Sequence, residues 1–171
     1  MVLSAEGVRS KEAQRSAKVF LRGLKKQTIV TKEFRTSFFP FQGEQIKEYF
    51  ETLKSFQPDL IFTHYGKDRH QDHRVVSELT WNTFRSHLVL EYEIPKYDAD
   101  LRSPNFFVAL PESICRKKVR ALMRFFESQR DKQWFSEDLF LGLMRLRGIE
   151  VASPTRYAEG FHCRKVLLGT V

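Results

Sequence analysis

Two imidazoles and two carboxylates stand close together in the run Asp68-Arg69-His70-Gln71-Asp72-His73-Arg74, and these are the groups that hold metals and move protons near neutral pH. His70 and His73 are three apart. At a helix start that spacing sends both rings to one side, and Asp72 between them is placed to hold an imidazole in one tautomer. The group cannot complete a catalytic zinc site unaided, because such a site takes three protein ligands and keeps a position for water. Another carboxylate or histidine has to come from elsewhere. The competing reading is a solvated polar helix start with Asp68 or Asp72 as its cap.

The elements around this run decide where it sits. Pro58-Asp59-Leu60-Ile61-Phe62-Thr63-His64 precedes it, and three consecutive apolar residues predict a parallel strand covered on both faces. Val75, Val76, Leu79, Thr83 and Phe84 follow with helical spacing, so a helix is expected from His70 to about Arg85. The imidazoles therefore fall at a strand-to-helix junction, where open α/β sheets bind ligands. The rest of the chain alternates in the same way, which predicts parallel βαβ units. Strands are expected at Val2 to Ala5, Thr28 to Val30 and Leu88 to Ile94. Helices are expected at Lys11 to Leu21, around Ile46, Tyr49, Phe50 and Leu53, from Pro111 along a stripe of Val119, Leu122, Met123 and Phe126, and from Ser136 to Arg147 with a stop at Gly148. Phe34 to Gln42 and Lys96 to Asn105 read as loops, the second lying over the pocket or at a subunit contact. Trp81 and Trp134 read as packing residues.

His70-Gln71-Asp72-His73 also matches the His-x-Asp-His motif of the PIG-L/LmbE family of zinc-dependent de-N-acetylases at every fixed position, and the chain resembles that family on both sides of it. Val2-Leu3-Ser4-Ala5-Glu6-Gly7, with Arg9 and Glu12 after it, resembles the family's second strand and its Arg-x-x-Glu helix start. Ser128-Gln129, Arg147-Gly148 and Tyr157-Ala158-Glu159-Gly160-Phe161 resemble its late signatures in order. The resemblance runs from about residue 2 to 168. It implies a Rossmann-like α/β three-layer sandwich with a mostly parallel sheet, and hydrolysis of an N-acetyl group on an N-acetylglucosamine-type sugar or its conjugate.

By the same resemblance His73 is a zinc ligand, and His70 polarises the amide carbonyl or protonates the leaving amine, with Asp72 orienting it. Arg9 is the substrate-binding arginine, a planar fork suited to sugar hydroxyls or a phosphate, against the alternative of a surface charge. Asp68 and Arg69 are expected to line the same pocket. Glu159 either points into the site or ends a strand, and the sequence does not decide. One departure matters. The family's first strand ends in His-Pro-Asp-Asp, which supplies two zinc ligands and the carboxylate that activates water, whereas none of His64, His70, His73, His87 and His162 is followed by Pro-Asp-Asp. The expectation is a domain lacking its first strand at the N-terminus, through an internal start, shortening or natural loss. Such a chain should bind zinc weakly and be a poor catalyst, with a gap in its sheet.

Composition sets the remaining bounds. With 171 residues, 42% hydrophobic and 13% aromatic, the chain can bury one sizeable core, and a single domain is expected. No apolar run approaches the roughly 20 residues needed to span a bilayer, and no secretion signal follows Met1. Cys115 and Cys163 are the only cysteines, one expected in a helix and one in a strand, which suggests reduced thiols in a cytoplasmic setting. The net charge of +8 and pI near 9.6 raise nucleic-acid binding as a rival. However, the densest runs, Arg22 to Lys26 and Arg116 to Arg120, sit beside helical apolar spacing and lack interleaved aromatics. A small amino-sugar substrate is the expected partner, anionic ones being favoured by the charge; self-association stays open. A sugar-binding protein without catalysis is the nearer alternative.

Overall fold

The structure, a computed structural model, describes residues 1–167 and 169. The chain divides into two compact units, each made of separate stretches: Met1–Arg35 with Ala109–Ala158, and Thr36–Val108 with the chain from Glu159 onward.

In the first unit Leu3 and Ala5 are buried, and the backbone around them pairs with residues 30 to 34. Val2 N–H donates to Val30 O at 2.9 Å, and Phe34 N–H donates to Leu3 O at 3.0 Å. Both expected strands here reduce to isolated bridges, Val2 with Thr31 in parallel and Ser4 with Glu33 in antiparallel sense, because a change of sense between neighbouring bridges breaks a ladder. The second partner lies later than residues 28–30. Helix α1, Val8–Phe20, follows; its buried residues are Glu12 and Ser16, one turn apart. The Arg22 to Lys26 run lies beyond its end.

Pro111 precedes α2, Glu112–Phe125, as its fixed φ favours. Cys115 and Val119 on this helix form a core with Met144 of α3, Glu137–Glu150; Met123 packs against that core, half-buried, whereas Leu122 and Phe126 of the expected stripe are half-buried as well. Ser136 caps α3 by accepting from Leu139 N–H at 3.4 Å. This helix passes through the expected stop at Gly148, and the chain leaves it at Ala152, whose φ is 47°, the left-handed conformation that ends helices. Gly148 has another reason. A Cβ there would run into the Arg156 carbonyl, so the residue is small for backbone approach, not for its turn.

The second unit carries the sheet. Helix α4, Gly43–Thr52, buries Ile46 and Phe50, the expected i, i+4 pair. Strand β1, Leu60–His64, runs to α5, Gln71–Thr83, and back to β2, Leu88–Tyr92. The two strands pair in parallel from Leu60 with Leu88 to His64 with Tyr92. Two further strands, β3 (Phe106–Leu110) and β4 (Tyr157–His162), complete a sheet of order β1-β2-β4-β3, the limits of the units falling inside both.

The α/β class stands, with three corrections. The sheet is mixed, since β2 and β4 are antiparallel, Glu91 opposite His162 and Tyr92 opposite Phe161. β3 lies where no strand was expected, and Cys163 falls just past β4. β1 is not covered on both faces: it occupies the sheet edge, with Leu60 40% and Phe62 55% exposed. A run of three apolar residues reports affinity for a sheet, not how many faces are covered. Among the described residues, no helix is long and apolar enough to cross a membrane.

Candidate functional site

β1 and β2 end together, and their last residues, His64 and Tyr92, are register partners. The Tyr92 hydroxyl lies 3.3 Å from His64 Nε2. From this edge the chain turns through Tyr65 to Arg69 into α5, and the turn is held from several sides. Gly66 N–H donates to the buried Glu91 carboxylate at 2.8 Å. Asp68 N–H donates to Tyr65 O at 3.0 Å, and Arg69 N–H to Asp100 at 2.8 Å. Arg74 closes the loop by donating to the carbonyls of Asp68 and Arg69 at 3.2 and 2.6 Å.

Asp68 is the centre of the arrangement. It is 4% exposed, and it accepts from His70 N–H at 2.7 Å and pairs with His73 Nδ1 at 2.9 Å. Lys96 reaches it at 3.2 Å and also reaches Asp100 at 2.5 Å. Burial alone would raise the Asp68 pKa, but the hydrogen bonds from the His73 ring, the His70 N–H and Lys96 outweigh it and hold the carboxyl well below the usual range. In the same way burial would lower Lys96, and its bonds to Asp100 and Asp68 raise it instead. Both groups are therefore charged at neutral pH.

An ionised carboxylate only accepts, so His73 Nδ1 carries a proton, and in the neutral ring Nε2 presents its lone pair. His70 is the mirror case. It is the N-cap of α5, and its Nδ1 accepts from Asp72 N–H at 3.2 Å. Burial, then the neighbouring His73, lowers its pKa, and a neutral ring whose Nδ1 accepts keeps its proton on Nε2. The two rings stack with centroids 4.4 Å apart. One imidazole thus offers a lone pair and the other an N–H from adjacent positions.

Asp72 meets the His70 ring through its backbone N–H, and its carboxylate turns elsewhere. The two Asp72 oxygens accept from Ser37 N–H at 2.6 Å and Phe39 N–H at 3.1 Å, tying α5 to the segment before α4, and Asp68 orients a ring in its place, that of His73. Both aspartates flank the histidines in sequence, and only the path of residues 36 to 39 decides which one is spent on backbone. The cap is His70, not the aspartate of the competing reading.

Four residues join this site without a signal in the motif. His64 lies parallel to His73, with centroids 4.1 Å apart and 2° between planes; burial and then His73 push its pKa down to about 3, so it is neutral. Tyr92, raised by burial, keeps its proton. Lys96 and Asp100 come from the expected loop. His64 was legible as the last residue of its strand, whereas the loop residues become neighbours of Asp68 only through the fold. Arg69 has an exposed side chain, and Arg9 is exposed on the first turn of α1 in the first unit, where its charge adds to burial in lowering Lys132. Glu12, its partner in the Arg-x-x-Glu pattern, is buried and accepts from Ser128 N–H at 2.8 Å and Oγ at 2.6 Å.

A zinc ion needs donors that converge. Among the described residues, no three His, Cys, Asp or Glu side chains gather as a ligand set. His73 Nδ1 is spent on Asp68, which leaves Nε2 as that ring's donor. The residues present do not fit a complete zinc site.

The buried carboxylate and the paired histidines lie at the carboxyl ends of parallel strands, where open α/β sheets bind ligands. Residues 3–84 match the model of the PIG-L family, described as GlcNAc-PI de-N-acetylase. Its fold is similar to that of N,N'-diacetylchitobiose deacetylase from Pyrococcus horikoshii, with TM-score 0.68 and 22% identity over 91% of this chain and 62% of that one; the chain therefore spans less than two thirds of that enzyme's length. It is also similar to a pseudoaglycone deacetylase, with TM-score 0.64 and 16% identity over 95% of this chain and 72% of that one. A third similar structure is the 4-carboxy-2-hydroxymuconate hydratase of Pseudomonas putida, with TM-score 0.65 and 14% identity over 96% and 74%. Deacetylation and hydration both occur on this fold, so the fold alone does not choose between them.

Proposed function

We propose that this chain carries the histidine group of a zinc-dependent de-N-acetylase that hydrolyses the N-acetyl group of an N-acetylglucosamine-type sugar or its conjugate. The observation that carries the reading is the complementary pair at the head of α5: His73 with its Nδ1–H on Asp68 and its Nε2 lone pair free to act, and His70 with its proton on Nε2. Amide hydrolysis needs a donor against the developing oxyanion and a proton for the leaving amine. His70 supplies the donor. His73 Nε2 is the single ligand position that this group offers a metal, and Asp68 sets its tautomer as carboxylates do for ligating histidines. Arg69 is the candidate on this unit for binding sugar hydroxyls or a phosphate.

Because the described residues bring one such nitrogen, the 171-residue chain should hold zinc weakly and turn over slowly. The test is acetate release from N-acetylglucosamine conjugates at saturating zinc, beside zinc binding measured directly. His73→Ala is expected to lose both, and His70→Ala to keep the metal and lose turnover. Release that survives chelation together with His73→Ala would sink the reading, and conversion of an enol-acid substrate by hydration in its place would favour the hydratase relationship.

A further inference from the structure

We propose that His64 is a positioning residue for His73, a flat platform on the strand that fixes the plane of the working imidazole on the helix. It rests on the reading of His73 as that imidazole. The rings are parallel to within 2° at 4.1 Å, close to face-to-face, and aromatic pairs hold such an arrangement only when other contacts impose it. Here they do. On the strand side the Tyr92 hydroxyl, at the register-matched end of β2, holds His64 Nε2 at 3.3 Å. On the helix side Asp68 holds His73 Nδ1 at 2.9 Å.

Strand and helix are themselves bolted together one residue away. Thr63 Oγ1 lies 3.0 Å from Thr80 Oγ1, both residues being buried, and Thr80 Oγ1 donates back to Val76 O at 2.7 Å. Sliding α5 along β1 would break that contact before it separated the rings. His70 then covers the second face of His73 at 4.4 Å, so His73 is the middle ring of three and can swing only if an outer ring moves. The Tyr92 hydroxyl acts through His64.

The experiment reads His73 by imidazole proton–nitrogen NMR on the full chain, following exchange of the Nδ1–H signal assigned by its loss in His73→Gln. Losing one aromatic face should speed that exchange by about tenfold in His64→Ala, the scale of an aromatic pair. His64→Phe, which restores the face without a ring nitrogen, should return it to near the parent rate, and Tyr92→Phe should fall between. An unchanged signal in His64→Ala, or a His64→Phe protein as fast as His64→Ala, overturns the proposal. If His64→Ala does not fold, Tyr92→Phe decides alone, because it removes one hydroxyl and the backbone amide spectrum reports whether the fold is kept; parent-like exchange in Tyr92→Phe overturns it. The measurement uses no substrate or metal. If turnover proves independent of His73 while the exchange pattern holds, the function reading falls and the platform stays.

Discussion

Asp68 and Glu12 are both buried carboxylates at helix starts, 4% and 6% exposed, and they differ in what they hold. Glu12 accepts from the amide and the hydroxyl of one residue, Ser128, neither of which titrates in the ordinary range. It joins α1 to the turn at Glu127–Gln129 and does nothing else that the geometry shows. Asp68 accepts from an imidazole, an ammonium and one backbone amide. The partners of the first make a joint; the partners of the second can exchange protons. Burial is common to both, so burial by itself does not mark a functional carboxylate.

The comparison is sharpest at Asp68→Asn. An amide cannot enforce the His73 tautomer, and turnover in the acetate assay should fall by about 10–100-fold, as when the outer partner of a ligating histidine is removed. The matching change at Glu12 should act on stability. Glu12→Ala removes the acceptor of two part-buried hydrogen bonds, and chemical denaturation should show a loss of about 2 kcal/mol, with turnover per folded molecule unchanged; a large drop in that turnover would break the contrast.

Acid gives a smaller and more selective effect. The folded pKa of Asp68 is depressed below its unfolded value of about 3.9, so its contribution is fully present above that value and is lost as pH falls through it toward the folded pKa. Stability of the parent should drop below about pH 4 relative to Asp68→Asn, and parallel curves would refute the assignment. The smallest change is Ser128→Ala, which removes the hydroxyl bond to Glu12 and keeps the amide bond; about 1 kcal/mol is expected from the same denaturation.

Much of the scaffold is legible because it is local. Ile46 and Phe50 mark a buried face at helical spacing, Pro111 and Ser136 mark helix starts, and the apolar run followed by a histidine-led helix places the chemistry at a strand-to-helix junction. Other signals misled for physical reasons. Gly148 carries the signature of a helix stop, yet its absent side chain serves a close backbone approach, and a sequence cannot show what approaches. Phe106–Leu110 pairs as a strand although it follows a polar loop, because its hydrogen-bond partners lie on a strand some fifty residues away in the chain.

The sequence by itself determined that two histidines three residues apart would share one side of a helix start beside two aspartates, since spacing on a helix is fixed by its period. Only the tertiary structure decided which aspartate serves an imidazole. The backbone of Ser37 and Phe39 takes Asp72, Lys96 and the His70 amide settle Asp68, and the meeting of β1 with β2 brings His64 and Tyr92 to the same edge. Those contacts join residues about thirty positions apart, and no local propensity encodes a distance that only folding closes.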